Sequence, residues 1–444
     1  MWIGVLFGLW LLMAGPGALA QPGTPPEKNP PLERPEAEHA TDLPVKETEP
    51  ERSEARQTEA KKEALESLFV HGHYTLIPLP AFTYNRNERY WIGALVPILK
   101  SNEKGELQDI IAPQYLHNQS IGETFTLNYF GYPSDTEQYS AVLSYSTKIQ
   151  RDIDLNYKNV GAGGGRYLLA GRVTWFKNAF RRFFGIGNET PESAESNYTS
   201  RETLVEATVG INVNPDVAVM WTERYHDVRT EEGAVSSLPQ TKSLFPNLFG
   251  MQGAQIFGHK LTVRYDTRDK QLVPTRGTYV TLSMEFNQNV QHSQPDRWWR
   301  TTIDAHHFIP HAGDRMVFVA HFLADTVNGH AVPFYEQPTL GGENSLRAFG
   351  QSRFIDDTAL LVNFEERIRV REQKIFDYLI DFEVAPFVDI GRVMTRFRLH
   401  DLDSTQVNPG LGLRVLAKPH VVGRFDIAWG QDGANVFVGL DYPF

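Results

Sequence analysis

The C-terminal end of the chain repeats its polarity every two residues, a pattern that only an extended strand can use. Every second residue between positions 436 and 444 is apolar. Successive side chains of a strand point to opposite faces, so the repeat creates one apolar face. The two preceding segments show the same repeat, with Phe425, Ile427 and Trp429 in one and Leu411, Leu413 and Val415 in the other. Such alternation, in units of roughly ten residues, is the sequence pattern of a membrane-spanning barrel.

The composition excludes a bundle of apolar membrane helices. Only 41% of the residues are hydrophobic, and the mean hydropathy is −0.36. Past residue 20, no run approaches the roughly 18 apolar residues that a membrane helix requires. A barrel uses only every second residue for its lipid face, so it fits this composition. We therefore predict an all-β fold, a transmembrane antiparallel β-barrel, over residues 71–444.

The N-terminal residues are predicted to be a secretory signal followed by a disordered segment. Residues 2–14 are almost wholly apolar, and Ala18, Leu19 and Ala20 form a small-residue cleavage site, although no basic residue precedes the apolar run. A buried core helix is the alternative interpretation. Residues 21–70 are rich in proline and acidic residues, which predicts a disordered periplasmic tether with a short helix at 51–69. We expect this tether to be dispensable for barrel folding but required for function.

The segments between the predicted strands alternate between short and long. Short turns are predicted at residues 417–419, near 372, at 311–313, near 270 and at 214–216, and longer loops at 394–406, 330–357, 229–254 and 179–200. Outer-membrane barrels have short turns at one end and long loops at the other. A soluble array of β-sandwiches would not explain this asymmetry.

The number of strands is predicted to be sixteen. This count treats residues 138–160 as one long strand, although a turn near Arg151 is an alternative. It also treats residues 76–84 as an entry segment, because Pro78 and Pro80 cannot donate a hydrogen bond in a ladder. The pattern alone leaves fourteen and eighteen strands open.

Charge and cysteine content exclude two further classes of function. The chain has a formal net charge of −11, which gives no reason to expect nucleic-acid binding. It contains no cysteine, so neither a disulfide nor a lipid anchor on an N-terminal cysteine is expected.

Short motifs occur in a fixed order along the predicted barrel. They are FGIGN at 184–188, DTRD at 266–269 followed by PTRG at 274–277, GGENSLRAF at 341–349, NFEER at 363–367 and FVDIG at 387–391. Together with the C-terminal phenylalanine, they resemble the BamA/TamA family of outer-membrane assembly and translocation barrels, also called bacterial surface antigen barrels. The resemblance spans about residues 76–444.

Two features depart from that family. Ala348 stands where the loop motif has a glycine, so the backbone of the loop tip is expected to differ slightly. Residues 21–70 are too few and too polar for the periplasmic POTRA domains that precede most such barrels. The resemblance implies that POTRA domains capture client strands by β-augmentation, so we do not expect this chain to assemble or secrete proteins unaided.

The resemblance implies that the longest loop folds into the barrel and is held there by the arginine of its motif. The motif residues are Leu346, Arg347, Ala348 and Phe349, and the expected lumen partners are Asp389, Glu365 and Arg367. The two-residue repeat places Glu365, Arg367 and Asp389 on lumen faces. A guanidinium group has a planar donor fork that suits carboxylates. The simpler alternative is that these charges only solvate a water-filled pore.

The remaining singled-out residues are expected to be structural. Asp266, Arg268 and Asp269, with Gly277, are expected to brace a short turn rather than bind a ligand. Tyr442 and Phe444 form the C-terminal assembly signal that the resemblance implies. Aromatic residues near strand ends, Trp298, Trp299 and Tyr442, are predicted to anchor the membrane interface. Glu366 falls on the lipid face, where an acidic side chain is unfavourable, so either an interfacial position or a bulge is expected.

No catalytic or metal site is predicted. His307 and His311 share a strand face but would lie about 13 Å apart along it. No zinc-protease motif or nucleophile elbow occurs. We therefore expect a barrel without a cofactor and without enzymatic activity.

The leading hypothesis is that the barrel helps insert or translocate proteins or lipids at the outer membrane. Expected partners are outer-membrane lipid and lipopolysaccharide, the assembly machinery during biogenesis, and a periplasmic protein at the tether. The alternatives are a passive or gated channel and, less favoured, a lipid-modifying enzyme.

Overall fold

The computed structural model describes residues 70–444 except 104–106, 135, 272, 292–295, 314, 376–377, 397–403, 418–420 and 441. The predicted signal peptide at 1–20 and nearly all of the predicted tether at 21–70, with its helix at 51–69, lie outside the described residues.

Strands dominate the described chain. The strands are β1 Val70–His71, β2 Tyr74–Leu76, β3 Leu79–Asn85, β4 Arg89–Leu95, β5 Ile98–Ser101, β6 Leu107–Asn118, β7 Gly122–Ser134, β8 Glu137–Ser146, β9 Arg151–Gly161, β10 Tyr167–Phe183, β11 Ser196–Asn212, β12 Val217–Glu232, β13 Ala254–Asp266, β14 Gly277–Asn289, β15 Arg297–His311, β16 Met316–Gly329, β17 Thr339–Leu340, β18 Phe354–Ile355, β19 Thr358–Ile375, β20 Tyr378–Met394, β21 Gln406–Ala417, β22 Val421–Gly430 and β23 Gly433–Leu440. Short helical turns lie at Ala162–Gly165, Glu192–Ala194, Thr241–Leu244 and Phe334–Glu336. No helix among the described residues is long and apolar enough to cross a membrane.

One antiparallel sheet of 21 segments contains every described strand except β17 and β18. β2 and β3 form one strand position, because the register of β3 with β4 continues unchanged into that of β2 with β5. β4 and β5 likewise keep one register along β6 as far as Lys100. The amide of Ile77 donates to the Pro97 carbonyl at 2.9 Å and so bridges the first interruption. β1 has only two residues and pairs with β2, so it is not counted as a barrel strand. With β2 and β3 counted as one strand, and β4 and β5 as another, the 21 segments make eighteen barrel strands.

The predicted strand number of sixteen is therefore wrong for two reasons. Residues 138–160 form two strands, β8 and β9, separated by a turn before Arg151. The predicted entry segment at 76–84 is part of a barrel strand, because the pairing continues past Pro78 and Pro80. The predicted fold class, an all-β antiparallel barrel, is confirmed.

Side chains alternate between the two faces of the sheet as the sequence repeat predicted. In β7 the side chains of Phe125 and Leu127 are exposed, whereas Thr124 and Asn128 are buried. The same alternation puts His307 outward and Asp304 inward in β15. An apolar outer face and a polar inner face are what a barrel in lipid requires.

The connections differ in length at the two ends of the barrel. The connections after β11 and β15 are four residues long and lie at one end, and residues 233–253 and 330–357 are long loops at the other. The turn predicted near Glu372 is displaced, because β19 continues to Ile375.

The barrel closes where β3 lies beside β23. The Thr83 hydroxyl approaches the Val438 carbonyl at 3.5 Å. β23 pairs with β22 along its whole length. Among the described residues, however, no backbone pairing register joins β3 to β23. The closing seam is thus held less strongly than the other contacts between neighbouring barrel strands.

The turn after β13 contains hydrogen bonds between its own side chains. Arg268 donates from Nε and Nη2 to the two carboxylate oxygens of Asp266, both at 2.9 Å. Asp269 accepts from the Thr275 hydroxyl at 2.6 Å and from the Thr275 amide at 2.9 Å. Burial alone would raise the pKa of Asp269, but these hydrogen bonds hold it below its ordinary value. Gly277 has a φ of +104°, and a Cβ there would lie 2.3 Å from the Thr267 carbonyl oxygen.

We predict that Gly277→Ala destabilises the barrel by about 1–3 kcal/mol, because it adds a steric overlap to a backbone conformation that L residues disfavour. The matched control is Gly313→Ala, with a φ of +67° and no atom within 4 Å of the added Cβ. The measurement is the free energy of unfolding in urea, with the protein in lipid vesicles. Equal losses in the two variants would show that the contact with Thr267 is unimportant.

Candidate functional site

The loop at residues 330–357 folds back into the barrel as a small hairpin. β17 and β18 pair within it, with Thr339 opposite Ile355 and Leu340 opposite Phe354. The chain reverses after Gly341, whose φ is +107°. A Cβ on Gly341 would lie 2.5 Å from the Gly350 carbonyl oxygen, so only glycine fits this approach. This hairpin, residues 330–357, is called the plug loop below.

Apolar side chains of the plug loop pack against one part of the barrel wall. The buried cluster comprises Leu340, Leu346, Ala348, Phe349 and Phe354 from the loop and Ala359, Leu361, Phe387, Val393 and Ala428 from the wall. The wall residues belong to β19, β20 and β22. Three of the four predicted motif residues, Leu346, Ala348 and Phe349, therefore contribute packing rather than charge.

Arg347 contacts Asp389 and Glu365, the two carboxylates that the family resemblance implied as its partners. Its Nη2 donates to Asp389 Oδ1 at 2.8 Å and its Nε to Oδ2 at 3.0 Å. Its Nη1 donates to Glu365 Oε2 at 2.7 Å. All three side chains have no exposed surface. The guanidinium also lies 3.3 Å from the centroid of the Phe387 ring. The structure thus brings Arg347, Asp389 and Glu365 together.

Glu365 lies between three arginines, one of which the sequence did not indicate. Arg367 Nε donates to Glu365 Oε1 at 3.1 Å, and Arg414 Nη2 donates to Oε2 at 3.1 Å. Arg414 Nη1 also lies 2.7 Å from Asp426 Oδ1. We call Arg347, Glu365, Asp389, Arg414 and Asp426 the Arg347 cluster. Arg414 and Asp426 alternate inward on β21 and β22, so strand parity was the signal that could have found them.

Two asparagines hold the backbone of the plug loop beside the Arg347 cluster. Asn435 Nδ2 donates to the carbonyls of Arg347 and Phe349 at 3.2 and 3.1 Å. Asn363 Nδ2 donates to the Ser345 carbonyl at 3.0 Å and to Asp389 Oδ1 at 2.7 Å. The loop tip is therefore fixed through its main chain as well as through Arg347.

Ala348 fits the loop tip without strain. It is fully buried, and its φ is not positive. A Cβ on Gly430 of β22 would lie 2.8 Å from the Ala348 methyl group. Glycine at position 430 therefore leaves the space that the alanine occupies. Alanine at position 348 therefore does not require the difference in loop-tip backbone that we expected from the sequence.

A second polar anchor holds the other side of the plug loop. Glu336 accepts from Arg224 Nη2 at 2.8 Å and lies 2.7 Å from Nδ1 of His226, both on β12. Burial alone would raise the pKa of Glu336, but the charge of Arg224 and the contacts with His226 keep it below the ordinary range. Sequence analysis missed this anchor, because a lone glutamate in a loop carries no recognisable pattern.

A third anchor joins the plug loop to neighbouring connections. Arg353 donates to Asp432 Oδ2 at 2.8 Å and to the Thr190 carbonyl at 2.8 Å. The Gly187 amide, in the FGIGN motif, donates to the Ile355 carbonyl at 2.8 Å. Asn188 of the same motif accepts from the Val393 amide at 3.0 Å. The motif thus ties one loop to the plug loop and to β20.

The C-terminal residues turn into the barrel after β23, which corrects the prediction that Tyr442 anchors the membrane interface. The Tyr442 hydroxyl donates to Glu383 at 3.0 Å, and its ring lies 3.5 Å from the Arg367 guanidinium carbon. The Phe444 ring stacks on His321 with a centroid distance of 5.0 Å. The two-residue repeat does not predict the position of Tyr442, because the pairing of β23 with β22 ends at Leu440.

Two further expectations are resolved by the structure. Trp298 is buried in the barrel, so its prediction as an interface anchor is wrong, whereas Trp299 is exposed on the outer face. Glu366 lies 3.3 Å from His311 at the end of β15, so the acidic side chain on the outer face has a polar partner near a short turn.

The plug loop leaves part of the lumen open. A cavity of about 530 Å³ lies beside the loop. Thr83 and Phe437, on the two strands that form the seam, line it together with Asp154, Arg172 and Gln337. The open space therefore adjoins the weakest strand contact in the barrel.

Comparison with solved structures gives two similar barrels. BamA from Haemophilus ducreyi lacking POTRA domains 1–3 is 14% identical with a TM-score of 0.50, and the match covers 87% of this chain and 77% of that one. CdiB from Acinetobacter baumannii is 13% identical with a TM-score of 0.47, and the match covers 84% of this chain and 60% of that one. At these identities the likeness concerns the fold.

No curated protein matches the sequence. The family model described as the Omp85 superfamily domain matches residues 128–437, which is more than half of the chain. The match extends from within β7 to within β23 and includes the plug loop. The chain belongs to the Omp85 superfamily and is an outer-membrane β-barrel.

Proposed function

We propose that this barrel helps insert or translocate proteins or lipids at the outer membrane, and that the plug loop gates its lumen. The proposal rests on two observations together: the plug loop is fixed to the barrel wall, and the contact between the closing strands β3 and β23 is weak. The Arg347 cluster holds the loop on β19–β22, whereas β3 and β23 share no backbone ladder in the described chain. The open cavity lies between these two features.

A weak contact between two barrel strands suits a client protein whose own strand can hydrogen-bond to their backbones. The edges of β3 and β23 carry peptide groups that an incoming strand can pair with, as in other cases of strand addition. A rigid, fully paired barrel offers no such edge. The arrangement therefore favours insertion or translocation over passive conduction.

The gated channel is the second candidate, and the same plug supports it. Release of the loop would join the cavity of about 530 Å³ to the rest of the lumen. The expectation that the protein is not an enzyme agrees with its membership of the Omp85 superfamily.

The partners and orientation follow from this role. We place the short turns and the N-terminal tether in the periplasm, with the tether contacting a periplasmic protein. Outer-membrane lipid and lipopolysaccharide surround the barrel. The assembly machinery acts on it during biogenesis, with Tyr442 and Phe444 as the proposed assembly signal.

The first prediction concerns the plug. Arg347→Ala should raise the single-channel conductance in planar bilayers, because it removes the buried arginine that pairs with Asp389 and one of the three arginines around Glu365. Breaking a buried ion pair typically costs about 3–5 kcal/mol. A shift of about 1.4 kcal/mol already changes the loop equilibrium tenfold. Asp389→Ala should have a similar effect, and the double variant should add little to either.

The matched control is Lys260→Ala, which removes a lumen cation paired with Glu206 at 3.6 Å, where neither residue lines the cavity or belongs to the plug loop. Its conductance should change little. The gating role is refuted if Arg347→Ala conducts like the unmodified protein, or if the Arg347 and Asp389 effects are fully additive.

The second prediction tests insertion or translocation itself. A photo-crosslinking amino acid is placed at Phe82, on the outer face of β3 at the seam, and in a separate variant at Phe257, on β13. The two rings are similarly exposed, at 44% and 41%. In living cells, position 82 should capture proteins or lipids in transit that position 257 does not. Identical products at the two positions would indicate a barrel without a working seam and would favour the channel.

A further inference from the structure

Two histidines and an aspartate converge on one point inside the barrel. His306 Nε2 lies 2.8 Å from Asp304 Oδ1, and His321 Nε2 lies 3.0 Å from the same oxygen. Asp304 and His306 alternate inward on β15, and His321 faces them from β16. The three ligand atoms all lie within 4.8 Å of one another. Sequence analysis considered pairs within one strand and so missed this pair across two strands.

The hydrogen bonds around His321 fix which of its nitrogens carries the proton. Asn363 uses its amide nitrogen to donate to Asp389 and Ser345, so its Oδ1 is an acceptor. His321 Nδ1 lies 2.8 Å from that oxygen and therefore donates to it. A neutral His321 then directs the lone pair of Nε2 at the carboxylate of Asp304. Two acceptors that face each other at 3.0 Å repel unless a cation lies between them.

A proton on Nε2 of His321, with a neutral His306 donating from its own Nε2 to the same oxygen, is the alternative that the test below separates from a metal ion. Protonation of both rings is unfavourable. The rings of His306 and His321 are stacked with a centroid distance of 4.4 Å, so two imidazolium charges would repel. A single metal ion neutralises the carboxylate and uses both Nε2 lone pairs at once. Ligand atoms around a tetrahedral zinc ion are about 3.4 Å apart. The two nitrogen–oxygen distances of 2.8 and 3.0 Å would therefore need to lengthen by roughly half an ångström.

We infer that Asp304, His306 and His321 bind a divalent transition-metal ion inside the barrel. Imidazole nitrogens select zinc-like ions over calcium or magnesium. The hydrogen bond from Nδ1 of His321 to Asn363 is the outer contact that metal-binding histidines usually make. Asn363 also binds Asp389 and the Ser345 carbonyl, so one side chain links the metal site to the residues that hold the plug loop.

The test is zinc binding by the purified full-length barrel, prepared without a histidine tag, stripped with chelator and dialysed. Isothermal titration with zinc chloride should show about one ion per chain. His306→Ala and His321→Ala should each weaken the affinity about tenfold or more. Cobalt substitution should give visible absorption bands that both variants lose. Heat-modifiable migration on gels verifies that each variant is folded.

Two outward-facing histidines provide controls. His307→Ala removes the neighbour of His306 that contacts the Thr278 hydroxyl, and His311→Ala removes the partner of Glu366. Both should bind zinc like the unmodified protein. The proposal is overturned if the unmodified protein binds no zinc, or if either control variant loses as much affinity as His321→Ala. The first result would mean that an imidazolium–carboxylate pair occupies the site.

Discussion

The structure depends on one buried charge, the guanidinium of Arg347. A fully buried cation is unfavourable unless carboxylates and further hydrogen bonds surround it. Here Asp389 and Glu365 supply the carboxylates, and Glu365 is in turn shared with Arg367 and Arg414. Strands β19–β22 must therefore keep their registers for the loop to dock. The loop and this part of the wall consequently form one cooperative unit.

The position of this unit determines which part of the lumen the plug loop fills and which part stays open. Glu336 and Arg353 fix the plug loop to β12 and to the neighbouring connections, so the loop is held on several sides. The cavity remains on the side of the seam between β3 and β23. The proposed gating requires a rigid side and a weakly joined side within one barrel, because local opening is easiest where few hydrogen bonds must break.

The sequence predicted those features that local periodicity or a short motif encodes. The parity placed Glu365 and Asp389 on lumen faces, and the resemblance to the BamA/TamA family implied that the loop arginine, Arg347, would meet them, as it does in the structure. Arg414 and Asp426 were missed because their strands are distant in sequence from the motif. Pro78 and Pro80 suggested a break, but the amide of Ile77 maintains the pairing. The inward turn of Tyr442 was not predictable, because a repeat does not show where its ladder ends.

The most direct test of the gating account measures whether the loop leaves the wall. The chain has no cysteine, so a single Ala348→Cys reports on one buried site. With Arg347 intact, a membrane-impermeant maleimide should label this cysteine slowly, and with Arg347→Gln it should label it at least about tenfold faster. Asn344→Cys, at an exposed position of the same loop, should label at similar rates in both backgrounds. Equal rates at Ala348→Cys in both backgrounds would contradict the account.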